Sequence, residues 1–161
     1  LQARRNRPDA SEVEYLSAGL APSRQAHRAR RYPMMRYPWD RTEAALRAMA
    51  DHSHGVMPEL DYVNPETGAD VLPTMGFTAM MLAAGLKTTP RRRSCSSAFH
   101  IVRGRGRTTI DGQTVEWGPK DTFSAPVFAT LSHEADEEAF LVRIHDRPLQ
   151  EKLGYYEERD S

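Results

Sequence analysis

From Val71 onward, short apolar runs alternate with polar residues and are punctuated by Gly, Pro and Asp. That is the period-two pattern of half-buried strands, and its repetition at short intervals points to an all-β barrel or sandwich. It predicts strands over 77–83, 97–103, 106–110, 113–117, 121–125, 129–134 and 138–145. Asp111-Gly112, set between two apolar-alternating runs, predicts a tight hairpin turn. Gly118-Pro119-Lys120-Asp121 predicts a second turn. Pro148 stops the last strand, and 149–153 adds a short helical turn before an acidic tail.

The upstream pattern is different. Residues 1–39 are proline- and arginine-rich with little periodicity and read as an extended arm carrying a short helix over 11–20. Asp40 opens an alanine-rich helix over 40–51, with Asp40 and Glu43 spaced as a capping box and Gly55 closing it. The division expected is an arm plus helix over 1–60, a barrel over 61–148 and a C-terminal tail over 149–161.

Composition narrows the function classes. At 161 residues the chain can bury one domain core. Its formal net charge is zero, with 22 basic and 22 acidic residues. That argues against a dedicated nucleic-acid or membrane-surface binder. Residues 1–50 are nonetheless rich in arginine and residues 133–161 in Asp and Glu, an asymmetry suited to packing within an assembly. The single cysteine, Cys95, allows no disulfide within the chain and fits a reducing, cytoplasmic setting. No apolar run has the length of a membrane span, and the polar opening residues do not resemble a signal peptide. The start at Leu1 rather than Met suggests a piece of a longer protein.

The candidate chemistry lies between Gly85 and Ala135. Gly85, Gly104 and Pro126 keep a spacing that resembles the two motifs of the cupin β-barrel, a double-stranded β-helix or jelly roll. In that family the intervening positions hold two histidines, a glutamate and a third histidine that bind a transition metal. Here they are Arg91, Arg93, Ser97 and Leu131. Metal ligation needs converging lone pairs from imidazole or carboxylate. Arginine has no lone pair and stays cationic, leucine offers nothing, and a serine hydroxyl is a weak neutral donor. We therefore expect no metal at these positions and no catalytic residue in this chain. Of the six histidines, His100 falls on the strand face opposite Ser97, and His145 falls off the face shared by Phe140, Val142 and Ile144. His133, two residues beyond Leu131, is the one histidine placed to lean toward the barrel mouth, with Glu134 or Asp136 as its only nearby companions.

The order of segments carries a narrower resemblance. Tyr62-Val63-Asn64-Pro65-Glu66-Thr67-Gly68, then Leu72-Pro73-Thr74-Met75, then the run from Ser96 to Gly112 resemble the C-terminal half of gentisate 1,2-dioxygenases and the related salicylate and 1-hydroxy-2-naphthoate dioxygenases. Tyr37-Pro38-Trp39-Asp40 resembles their inter-domain connection, and Asp146-Arg147-Pro148 with Leu153-Gly154-Tyr155 their closing segment. The resemblance implies a bicupin parent, assembled as a tetramer, in which an Fe(II) ion in an N-terminal cupin opens the ring of a small aromatic acid with dioxygen. It implies that this chain is the metal-free half, inactive alone, with its N-terminal cupin and further copies of the chain as partners. The alternative reading is a stand-alone cupin module that binds a small carboxylate or other anion through Arg91 and Arg93, two guanidiniums on one strand face.

Overall fold

The computed structural model describes residues 36–52, 57–65 and 67–160. The expected helix over 11–20, the start of the arm and Gly55 lie outside them. In chain order the elements are α1 (Trp39–Ala50), β1 (Glu59–Asp61), β2 (Gly76–Leu82), β3 (Arg91–Arg93), β4 (Ser97–Arg103), β5 (Gly106–Ile110), β6 (Gln113–Trp117), β7 (Thr122–Ala125), β8 (Thr130–Ala135), β9 (Ala139–His145), α2 (Arg147–Leu153) and β10 (Glu158–Asp160). The strands form two antiparallel five-stranded sheets, ordered β1-β2-β9-β4-β7 and β10-β3-β8-β5-β6. This is the two-sheet jelly-roll architecture that the alternation pattern predicts.

The long strands fall where the alternation places them. The β5–β6 turn is made by Asp111 at φ 48° and Gly112 at φ 82°, the doubly left-handed geometry that matches the strand twist. Gly104, kept at its motif spacing, sits at φ 96° where a Cβ would collide with the Ala139 backbone. Three strands have no apolar alternation and are strands by virtue of their neighbours. β1 pairs with β2, β3 with β8, and β10 with β3. Residues 149–161, read as a tail, thus contain most of a helix and a sheet strand.

Both faces of the first sheet are covered. Inside the barrel, Met80, Leu82, Phe99, Ile101, Trp117, Leu131 and Leu141 form one contiguous core. Outside, α1 lays Leu46 over Ala79, Met81 and Phe140, with Trp39 packed edge-on to Phe140. Fully burying each such side chain stabilises the fold by about 1.5–3 kcal/mol. Trp39 therefore finds its apolar partner within this domain.

The capping box does not form. The helix starts at Trp39 with Pro38 as N-cap and no side-chain cap, which places Asp40 inside the first turn. Glu43 is used elsewhere. It accepts from Trp39 Nε1 at 3.0 Å, from Arg47 and from Arg103 of β4, clamping the helix to the sheet.

Candidate functional site

The register of β3 and β8 brings three of the four substituted ligand positions together. Arg91 pairs with Leu131, and Arg91, Arg93, Leu131 and His133 all line one cavity of about 250 Å³. Met57, Met80 and Leu86 complete its apolar wall, and Lys87, Thr88 and Glu59 its polar side. Ser97 does not join them. It is buried on β4 in the other sheet, beside His145 and Ala125.

The two arginines share a face, as strand alternation requires, but differ in environment. Arg93 is buried and held by Glu158, from Nε at 3.1 Å and Nη2 at 3.0 Å. Arg91 is more exposed and its carboxylate neighbours stand farther off, Asp160 at 3.4 Å and Glu158 at 3.7 Å. Both acids come from β10, the strand hidden in the acidic tail. Burial pushes the Glu158 carboxyl up, but the Tyr156 hydroxyl and the Arg93 guanidinium outweigh it and hold the group below its ordinary value.

His133 is buried in the cavity wall, edge-on to Phe99. Its Nδ1 lies 2.8 Å from Thr108 Oγ1, which also accepts a hydrogen bond from Trp117 Nε1 at 2.8 Å. The Thr108 hydroxyl has one proton and two lone pairs, so beside the indole N–H it can either donate to Nδ1 or accept from it, and the contact fits either neutral tautomer. Burial, reinforced by Arg143 and Arg93, pushes His133 down to about 3. It is a neutral imidazole at physiological pH. Glu134 points away on the opposite strand face, where it pairs with Arg107, so the companion expected for His133 is not available to it. Asp136 also faces Arg107.

On β9, parity separates His145 from Phe140, Val142 and Ile144 as expected, and the face it takes is the interior one. Leu141, Arg143 and His145 face the barrel interior, while Phe140 faces α1. His145 is thus an interior residue. Its Nε2 lies 3.0 Å from Thr78 Oγ1, whose own proton goes to Asp61 at 2.6 Å. That puts the imidazole proton on Nε2 and leaves Nδ1 buried without a partner. Burial, then Arg143 and Arg147, push His145 down to about 4.

Arg143 is 2 % exposed, donates to Thr78 at 3.3 Å and lies 3.9 Å from Glu59. Among the described residues its Nε and Nη1 have no partner, nor does Glu59 Oε1. Burial and the neighbouring Arg93 lower its pKa. The sequence signal for Arg143 was its alternation with Leu141, masked by the equally apolar Phe140, Val142 and Ile144.

The donor set does not fit a transition metal. Two guanidiniums and a leucine occupy the cavity where cupin ligands would converge, and the guanidiniums would repel a divalent cation. Among the described residues no three His, Cys, Asp or Glu side chains converge as a ligand group. Cys95 is buried, and burial raises its thiol pKa away from the reactive range. No helix of the described residues is long and apolar enough to cross a membrane.

No protein-family model matches the chain. It is 34% identical over 157 residues to a gentisate 1,2-dioxygenase of Ralstonia sp, covering 94% of this chain and 44% of that protein. It is 34% identical over 133 residues to a 5-aminosalicylate 1,2-dioxygenase of Comamonas sp, covering 80% of this chain and 36% of that one. Among solved structures, a salicylate 1,2-dioxygenase from Pseudaminobacter salicylatoxidans superposes with a TM-score of 0.75 and 27% identity, over 92% of this chain and 45% of that chain. The chain therefore spans less than half the length of these relatives.

Proposed function

We propose, from the premise that this chain belongs to the gentisate 1,2-dioxygenase family over somewhat less than half the length of its relatives, that it is the metal-free cupin half of a ring-cleaving dioxygenase. Its role in this reading is structural. It is the C-terminal barrel, which packs with a preceding catalytic cupin of the same protein and with further copies of the chain. The preceding barrel holds the Fe(II) and takes a small aromatic acid. The observation that carries the reading is the cavity at the cupin ligand positions, filled by Arg91, Arg93 and Leu131 and backed by a neutral histidine tied to Thr108.

Iron content and ring cleavage of gentisate, measured on the 161-residue chain and on a protein that also carries the preceding barrel, test it. The chain alone should lose its iron on dialysis and leave gentisate unchanged, while the longer protein retains iron and turns it over. Stoichiometric iron retained by the 161 residues would sink the assignment.

A second reading, an anion site through Arg91 and Arg93, is favoured by one observation. The two arginines line one cavity, and Arg91 is the more loosely paired of the two with the acids of β10.

A further inference from the structure

We propose that the cavity over the paired strands β3 and β8 binds a small monocarboxylate with a compact apolar body, held by Arg91 and by His133 Nε2–H. This rests on the anion-site reading and makes it specific in the gripping residues and in the class of ligand.

The cations in the lining supply the grip for an anion. Lys87, Arg91 and Arg93 line the cavity with one acid, Glu59, which is turned toward the buried Arg143, 3.9 Å away. Glu134, Glu158 and Asp160 pair with the three cations from beside the lining. An incoming carboxylate must therefore displace a weak existing pair. Arg93 is already committed to Glu158 through two nitrogens. Arg91 is the guanidinium available for exchange, since its ion pairs at 3.4 and 3.7 Å are longer than charge-assisted hydrogen bonds. A ligand carboxylate at hydrogen-bonding distance would replace them with a bidentate pair.

The second grip is His133. Its Nδ1 is engaged by Thr108. The ring binds in the tautomer in which Thr108 donates to Nδ1, which leaves Nε2–H as its donor for a ligand. A neutral imidazole N–H in a cavity wall donates to a carboxylate without adding a charge that would need its own compensation.

The apolar part of the lining selects the body of the ligand. Met57, Met80, Leu86 and Leu131 present an apolar surface, two of them flexible thioethers that conform to a flat or branched group. The volume of about 250 Å³ suits a molecule of one ring rather than a peptide or nucleotide. Inorganic anions satisfy the cationic wall only, and neutral rings satisfy the apolar wall only.

Calorimetric titration of the 161-residue chain with benzoate, benzamide, acetate and sulfate reads these claims separately. Benzoate should bind saturably and at least about tenfold more tightly than benzamide or sulfate. Acetate should be weaker than benzoate. Arg91→Ala should weaken benzoate by about tenfold or more, and Arg91→Lys should recover part of the loss. The His133 ring, followed by its ¹⁵N resonances, should keep the Nε2–H tautomer and shift on benzoate binding alone. Benzamide matching benzoate, or benzoate binding unchanged in Arg91→Ala, would overturn the proposal. Sulfate or acetate matching benzoate would leave a general anion site and overturn the ligand class. Absence of binding by every probe would remove the anion-site reading with it. None of these outcomes depends on iron or turnover, so the structural assignment stands or falls by its own test.

Discussion

The barrel interior has two layers built by the same strands two residues apart, and they are held by different physics. In the apolar layer Met80, Leu82, Phe99, Ile101 and Leu141 are each at most 1 % exposed and have no polar atom to satisfy. In the polar layer Thr78, His133, Arg143 and His145 are almost as deeply buried, yet Arg143 keeps two N–H groups and His145 one nitrogen without partners. Burial of the first kind removes apolar surface from water and stabilises. Burial of the second kind carries a desolvation cost that only good partners offset. Equal burial therefore does not mean equal contribution. The apolar layer is what specifies the fold, and the polar layer is what a binding site requires.

The comparison breaks first at Leu141. Leu141→Ala removes a fully buried side chain from the centre of the core and should cost about 2–5 kcal/mol in urea unfolding. A loss under about 1 kcal/mol would mean the two sheets close over the gap, and the apolar layer would not be the firmer of the two.

Acid should expose the polar layer next. His133 is held near 3 and His145 near 4, both below the ordinary value of 6.5. Above pH 6.5 both are neutral in folded and unfolded chains. Below it the unfolded chain takes up protons that the folded one refuses, so stability falls as pH drops from 6.5 toward 4 and, for His133, on toward 3. Each histidine contributes a slope of about 1.4 kcal/mol per pH unit in that window. Unfolding at pH 5.5 should therefore be about 2–3 kcal/mol easier than at pH 7.5, and His133→Asn should reduce the drop. Carboxylates held low, such as Asp61 and Glu158, add their own loss only at lower pH, because they are ionised in both states above about 5. A flat profile between pH 7.5 and 5.5 would show that the histidines are not buried neutral.

What the sequence made legible follows from the same contrast. A strand with clean alternation, such as β4, is read directly, because a period-two pattern on a half-buried sheet has one cause, whereas β6 is exposed along four of its five residues and is marked by its turn. That turn, at Asp111-Gly112, is legible in its own residues. β1, β3 and β10 are not, since Glu-Leu-Asp, Arg-Arg-Arg and Glu-Arg-Asp become strands only through partners distant in sequence. The interior face of β9 is not legible either. With α1 packed outside the sheet, Phe140 and Leu141 are both fully buried, and hydrophobicity alone cannot say which one faces the barrel. That ambiguity hid Arg143 and His145. Arg91, Arg93, Leu131 and His133 do line one cavity, with His133 buried in its wall. Ser97 is not among the lining residues, a separation that spacing along the chain does not carry.

The smallest effect expected is the most discriminating. Arg143→Met removes a buried charge that donates to the Thr78 hydroxyl at 3.3 Å and lies 3.9 Å from Glu59. Methionine of similar reach adds apolar contact and removes two orphaned donors, while Glu59 loses its counter-charge. Glu59 is partly exposed at the cavity wall, so solvent can compensate it. The opposing terms should leave stability within about 1 kcal/mol of the parent. Arg143→Met combined with Glu59→Gln should then be no less stable than Arg143→Met alone, because the uncompensated carboxylate is gone. The two histidines supply an independent readout. Arg143 depresses both, so their pKa values, followed by NMR, should rise in the variant. A loss above about 3 kcal/mol would place Arg143 among the groups that hold the barrel together. An unchanged pair of histidine pKa values would mean the guanidinium does not govern the charge of the polar layer. Near-neutral stability with raised histidines would mean that Arg143 sets the charge of the polar layer without holding the fold together.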